Sequence, residues 1–285
     1  MSELAVINTN DYATMAKMMG VAYDTNKEKS TLARLKVNKA PIMGETEVNG
    51  KMAKVEILPG GSFEIQNGST VYAETVIIRP FIQRFMYQKY DSNSKNYVKT
   101  LMSDSFNVDL KDSDGGFNCG KPSGYIEDFK ALPQATQDLL RSIQRSRVIF
   151  GELSMPDAIT AEGDAHPIEN MPFIWDVNNK EGYKNIGSVF SKLNSMKRLP
   201  MQHNITLRND RREVPQTYYV PVPELDTQNS IEISTSDQDL FTSFMEHIES
   251  HNSWVLSEYT KNSKPDDTEI LDNEFISVDD AEEMQ

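Results

Sequence analysis

One cysteine in 285 residues, Cys119, rules out an internal disulfide and a zinc site built on cysteine pairs. A lone thiol fits a reducing, cytoplasmic setting. Long apolar runs are missing too. No stretch approaches the roughly 18 apolar residues of a membrane span, so no membrane partner is expected. The first residues, MSELAVINTNDYATM, lack a basic segment followed by an apolar one, and no secretory signal is expected. Histidine is scarce. His247 and His251 are one helical turn apart, but Ile248 stands where a zinc-protease helix carries its glutamate. The segment GGFNCGK at 115–121 has the spacing of a phosphate-binding loop, yet Pro122 replaces the Ser or Thr that would hold magnesium. Asp109, Asp112 and Asp114 miss the spacing of a calcium loop. No nucleophile motif is readable. The chain is expected not to be an enzyme, to hold no metal and to need no cofactor.

Basic charge is also short, with 29 Lys and Arg against 43 Asp and Glu for a net charge of −14. The deficit is uneven. Residues 265–285 hold nine acidic side chains and no basic one, and removing them leaves −5 for the rest. Net charge describes the far field, whereas a local patch decides a contact. Within the acidic run, Phe275 and Ile276 form an apolar pair among Asp272, Glu274, Asp279 and Asp280. This segment reads either as a partner-binding tail or as a disordered solubilising one.

The opposite pattern occupies residues 79–99. Arg79, Arg84, Lys89, Lys95 and Lys99 face a single acid, Asp91, and Phe81, Phe85, Tyr87, Tyr90 and Tyr97 lie between them. On a strand, alternate residues share a face. Arg79, Phe81, Gln83, Phe85, Tyr87 and Lys89 would line one face, unless Pro80 bulges the strand and flips the residues after it. Single-stranded nucleic acid wants this mixture, cations for phosphates and rings for bases. The competing reading is that the rings are core. Arg141, Arg145 and Arg147 make a secondary cluster, with Arg141 and Arg145 one turn apart on an expected helix.

The order of elements is strand-rich. Residues 1–30 read as a flexible arm. Residues 31–235 read as a β-rich core with inserted helices, 236–262 as a C-terminal helix and 263–285 as the acidic tail. Asn49-Gly50 between two alternating segments signals a hairpin. Further turns fall at Pro59-Gly60-Gly61 and Asn67-Gly68, before a long strand over 71–90. FNVDL reads as a strand, and 111–131 as a Gly-rich loop. Helices are expected from Pro133 to about 146 and from Gly182 to about 196. The last helix is expected to start near Ser236, with Asp239 completing a capping box. The fold class is mostly β or α+β, and an OB-like Greek-key barrel enlarged by insertions fits the order.

The segments RPFIQRFMYQKY, NVDLKDSDGGFNCGKPSGYIEDFKALP, RVIFG and KRLPMQHNI resemble a family of tailed-phage single-stranded-DNA-binding proteins. The acidic tail is separately similar to those of bacterial and phage single-stranded-DNA-binding proteins. Such tails commonly end in an aromatic residue, whereas this chain ends Glu283-Met284-Gln285. The resemblance implies an OB fold, a basic-aromatic groove and a tail that recruits replication or recombination proteins. The expected DNA contacts are Arg79, Phe81, Arg84, Phe85, Tyr87, Lys89, Tyr97 and Lys99, with Lys121 and Arg145 beside them. Homo-oligomers are possible. The alternative is an adaptor or virion-associated protein that binds protein and not nucleic acid.

Overall fold

The computed structural model describes residues 32–48, 51–124, 126–213 and 216–263. The arm, the Asn49-Gly50 apex and the acidic run with its Phe275-Ile276 pair lie outside them. In chain order the strands are β1 (Ala33–Val37), β2 (Ile42–Val48), β3 (Lys51–Leu58), β4 (Phe63–Asn67), β5 (Ser69–Ala73), β6 (Val76–Asp91) and β7 (Asn96–Lys99). Helix α1 (Gln134–Ser142) leads into β8 (Ile143–Met155), β9 (Ile159–Thr160) and β10 (Ile168–Val177). Helix α2 (Lys180–Ser195), β11 (Ile205–Arg212), β12 (Tyr218–Leu225) and helix α3 (Thr235–Asn262) complete the order.

The fold is mostly β with a C-terminal helix. Ten strands form one mixed sheet in the order β12-β11-β6-β8-β10-β1-β4-β5-β9, with β7 also on β6. Pairing is antiparallel except β1 against β10, which is parallel, with Leu35 opposite Trp175. The closed OB-like barrel is not formed. The sheet is open, with β12 and β9 as its ends. Those ends are poorly suited to meet, because Pro221 and Pro223 on β12 have no N–H to donate and β9 is two residues long.

Strand β6 is the spine, and Pro80 bends it as its sequence implies. Pro80 pairs with Gly151 and Ile82 with Phe150, which leaves Phe81 as the extra residue of a bulge. Glycine at 151 is required here, since a Cβ would come within 2.3 Å of the Arg79 carbonyl oxygen. The bulge turns the strand over. Val76 and Ile78 join the main core with Leu35, Phe63, Ile149, Leu153, Phe173 and Trp175. Helix α2 covers that face with Ile186, Val189, Phe190 and Leu193, an apolar stripe at helical spacing. Its N-terminus is capped by Asn179, whose side chain accepts from the N–H groups of Glu181 and Gly182.

Helix α3 packs on the other face. Phe244 meets the edge of Phe81 at 5.7 Å and lies 5.8 Å from Phe150. Ile248, Val255 and Tyr259 continue the buried stripe. The capping box is Ser234 with Asp237, two residues earlier than the sequence suggests. A tertiary partner explains the shift. Arg79 holds both Asp237 carboxylate oxygens at 2.8 and 2.9 Å and donates from Nε to the Met201 carbonyl. Further along, Asn252 accepts from the Met102 N–H and donates to its carbonyl, like an extra strand residue.

Candidate nucleic-acid interface

The bulge divides the expected contact set. Arg79 and Phe81 are not groove residues. Arg79 is the half-buried anchor of α3, and Phe81 is 6% exposed in the core beneath it. Arg84 also turns toward α3, donating to the Met245 sulfur at 3.7 Å and to the Gln83 carbonyl. Lys99 lies opposite Gln88, on the same side of the sheet as Arg84. Burial pulls its pKa below the ordinary lysine value, and Asp176 offsets part of that.

Phe85, Tyr87 and Lys89 point the other way, opposite Arg147, Arg145 and Ile143 of β8. Arg145 is therefore a strand residue, because β8 begins at Ile143 and α1 stops at Ser142. It does not share a helix face with Arg141. Five rings gather around this arginine pair, Phe190 being the most distant at 5.8 Å from Arg147. Arg145 lies over Phe106 at 4.8 Å and Tyr183 at 5.5 Å, and Arg147 over Phe85 at 4.9 Å and Tyr183 at 4.7 Å. Tyr87 closes the group, 4.4 Å from Phe106. Tyr87 is a core ring at 5% exposure. Burial lifts its phenol above the usual range, while Arg145 pulls it down.

Arg147 is buried and bonds the Gln83 side chain. A Cβ on Gly187 would sit 2.6 Å from its guanidinium, so glycine there lets the cation lie against α2. Burial lowers its pKa, and the Tyr183 hydroxyl opposes that shift. Arg145 is exposed. Among the described residues, no carboxylate forms an ion pair with Arg145, Arg147 or Lys89. Two neighbouring cations are thus held flat by aromatic faces and not by acids.

The tip of the β6–β7 hairpin carries the exposed rings. Tyr90 and Tyr97 pair edge to face at 5.2 Å and are 52% and 49% exposed. The only acid nearby in sequence, Asp91, is occupied by its own turn, accepting from the N–H groups of Asn93 and Ser94. Three residues separate Tyr87 from Tyr90, about 10 Å along a strand. The arginine pair and the tyrosine pair therefore share one end of β6, on opposite faces of a single layer.

The Gly-rich loop flanks this end. Lys89, Asp112, Asp114, Gly116, Gly120 and Asn262 are among the residues that line a cleft of about 260 Å³. The loop's phosphate-like spacing serves a different purpose. Buried Asp112 accepts from the backbone N–H groups of Asp114, Gly116 and Cys119, so the loop closes around its own carboxylate. Asn118 and Cys119 take left-handed conformations, at φ 54° and 58°, to do so. Lys121 is tied back to the Pro122 and Gly124 carbonyls. Burial, with Asp112 adding to it, pushes the Cys119 thiol up to about 12, which leaves it protonated and inert.

Phe106 and Tyr183 were not recognisable as site residues. Tyr183 has the helical spacing of a core residue, and FNVDL forms no strand, which leaves Phe106 in an irregular segment that turns its ring inward. Compared with known proteins, the chain matches no family model, no curated protein and no solved structure.

Proposed function

We propose that the protein binds single-stranded DNA in phage replication or recombination, in the host cytoplasm and without catalysis. The observation that supports this most is the exposed Tyr90–Tyr97 pair beside Lys89 and Arg145, neither of which forms an ion pair with a described carboxylate. A flexible strand crossing the end of β6 would meet Lys89 and Arg145 on one face and the two tyrosines on the other. The cations follow phosphates and the rings stack on bases, a mode that is tolerant of sequence. The resemblance of several segments to phage single-stranded-DNA-binding proteins points the same way.

The acidic run at 265–285 is the internal competitor in this reading, and its Phe275-Ile276 pair is the docking point for replication or recombination proteins. The end of helix α3 beside the Gly-rich loop supports this reading. Its last residues pack on the Gly-rich loop, with the Asn262 side chain donating to the Ser113 carbonyl at 2.9 Å. Asn262 also shares the cleft with Lys89.

Fluorescence anisotropy of a labelled poly-dT oligonucleotide tests both parts. Removing residues 265–285 is expected to tighten binding by roughly threefold to tenfold at low salt, and the gain should shrink as salt rises. Three phosphate contacts, from Lys89, Lys95 and Arg145, would give a log–log salt slope of about −2. Equal affinity of the full-length and shortened chains would refute the competing tail. No binding by either at low salt would refute the DNA reading. The second reading, a protein-binding adaptor, draws on the β2–β3 ribbon, which stands outside the main sheet with Met43, Met52 and Val55 exposed.

A further inference from the structure

The main sheet guards its two ends with edge prolines on β12 and a two-residue β9. The β2–β3 ribbon has neither device, and its one irregularity is a register shift near the end of β3, where Ile57 is the extra residue between Glu56 and Leu58. Among the described residues it pairs with no third strand, and the eight residues of β3 include no proline. A two-stranded ribbon alone is marginal in water, and its outer edge is a row of unpaired N–H and C=O groups. Met52, Lys54, Val55 and Glu56 are exposed on this strand. Lys54 lies opposite Glu45 in the ribbon, yet no ion pair joins Lys54 or Glu56 to another described residue.

We propose that the outer edge of β3 pairs antiparallel with β3 of a second copy, about a twofold axis through Val55. The order Met52-Ala53-Lys54-Val55-Glu56-Ile57-Leu58 is self-complementary in that register. Lys54 falls opposite Glu56 of the second copy, and the axis repeats the pair. On the other face Val55 meets Val55 of the second copy at the axis, ahead of the irregularity at Ile57. Gly44, across the ribbon from Val55, leaves room for the chain's own Ile57 side chain, which folds over it. Neighbouring registers fail. A shift by one residue sets Lys54 against Val55, and a shift by two sets it against Lys54 of the second copy, a like-charge contact. A lysine alone on an edge strand discourages pairing, but here Glu56 two residues later converts it into half of a reciprocal pair. The result is a four-stranded antiparallel sheet joining two molecules.

Such a contact is smaller than a standard interface, so the dimer is expected to be weak and is best read by sedimentation velocity on the full chain from micromolar to near-millimolar concentration. Lys54→Glu and Glu56→Lys each replace two attractive pairs by two repulsive ones on exposed residues; Lys54→Glu also faces Glu45 across its own ribbon, so Glu56→Lys, opposite Met43, is the cleaner arm. Each single variant is expected to raise the dimer Kd by about tenfold or more. The double variant restores the pairs and should return to within about threefold of the parent. Mixing the two single variants is the sharpest arm. One then presents Glu at both positions and the other Lys at both, so a heterodimer should form where neither variant pairs with itself. A parent chain that stays monomeric, single variants that dimerise unchanged, or a mixture that does not associate would each overturn the proposal.

Discussion

Asp237→Ala is expected to destabilise the protein by about 3–5 kcal/mol, the usual loss when one partner of a buried ion pair is removed. Two functions end together in that substitution. Arg79 loses both bonds to a carboxylate that is itself buried, and the α3 capping box loses its reciprocal half, worth about 1 kcal/mol on its own. Glu152 is a poor substitute, since it stands 3.3 Å from Arg79 and burial raises its pKa. Glu152→Gln should therefore cost much less. Urea denaturation followed by far-UV circular dichroism gives the number, and a loss under about 1 kcal/mol would reduce the pair to surface-bridge strength. The pH dependence carries the same information. Arg79 holds Asp237 below its ordinary value near 3.8, so its contribution is complete above that value and disappears as pH falls through the lower folded pKa. Glu152 acts in reverse. Its raised pKa penalises the fold at neutral pH, and acid relieves that penalty. Asp237→Asn should flatten the acid-induced loss that the parent shows.

The second large effect concerns binding. Replacing Tyr90 and Tyr97 together by alanine is expected to weaken poly-dT binding by about 2–6 kcal/mol, or thirtyfold or more, if each ring stacks on a base. Both rings are about half exposed, so the melting temperature should hardly move. That separation of affinity from stability is what Phe85 and Tyr87 cannot offer, since they are packed against Phe106. A double variant that binds as the parent does would put the bases elsewhere on the surface.

Local features were the most legible in the sequence. The Asn49-Gly50 signal foretells the β2–β3 hairpin, whose strands pair as far as Val48 with Lys51, because such signals act over a few adjacent residues. Pro80 foretells the bulge for a similarly local reason. Which face each side chain takes beyond it was open, and the answer depends on Gly151 from another strand. The start of α3 shows the limit clearly. Both Ser234 and Ser236 can cap a helix, and Arg79, 158 residues away from Asp237, selects the first. The long strand begins at Val76 and not at 71, since Ser69–Ala73 pairs separately with β4. The barrel expectation failed on pairings between strands far apart in sequence, above all β1 with β10. At the site, Lys89, Tyr97 and Arg145 were readable as charge and aromatic content. Arg147 was visible as one of a basic cluster, but its carboxylate-free cage of rings was not.

The strand order has a consequence for how the molecule is made. Strand β1 is synthesised first, yet it lies between β10 and β4, with Ala33 beside Phe173. Strands β4 and β5 can join it early, and β6 and β7 can form their own hairpin, but these two pieces have no common border until β8 and β10 arrive between them. Loops this long close slowly, and the nascent chain meanwhile holds unpaired strands in the open. Ribosome-bound chains halted before residue 168 are accordingly expected to be cut readily by protease over residues 76–91, and chains that have released α3 to resist. The last helix to emerge is then the lock on a sheet whose first strand has waited for it.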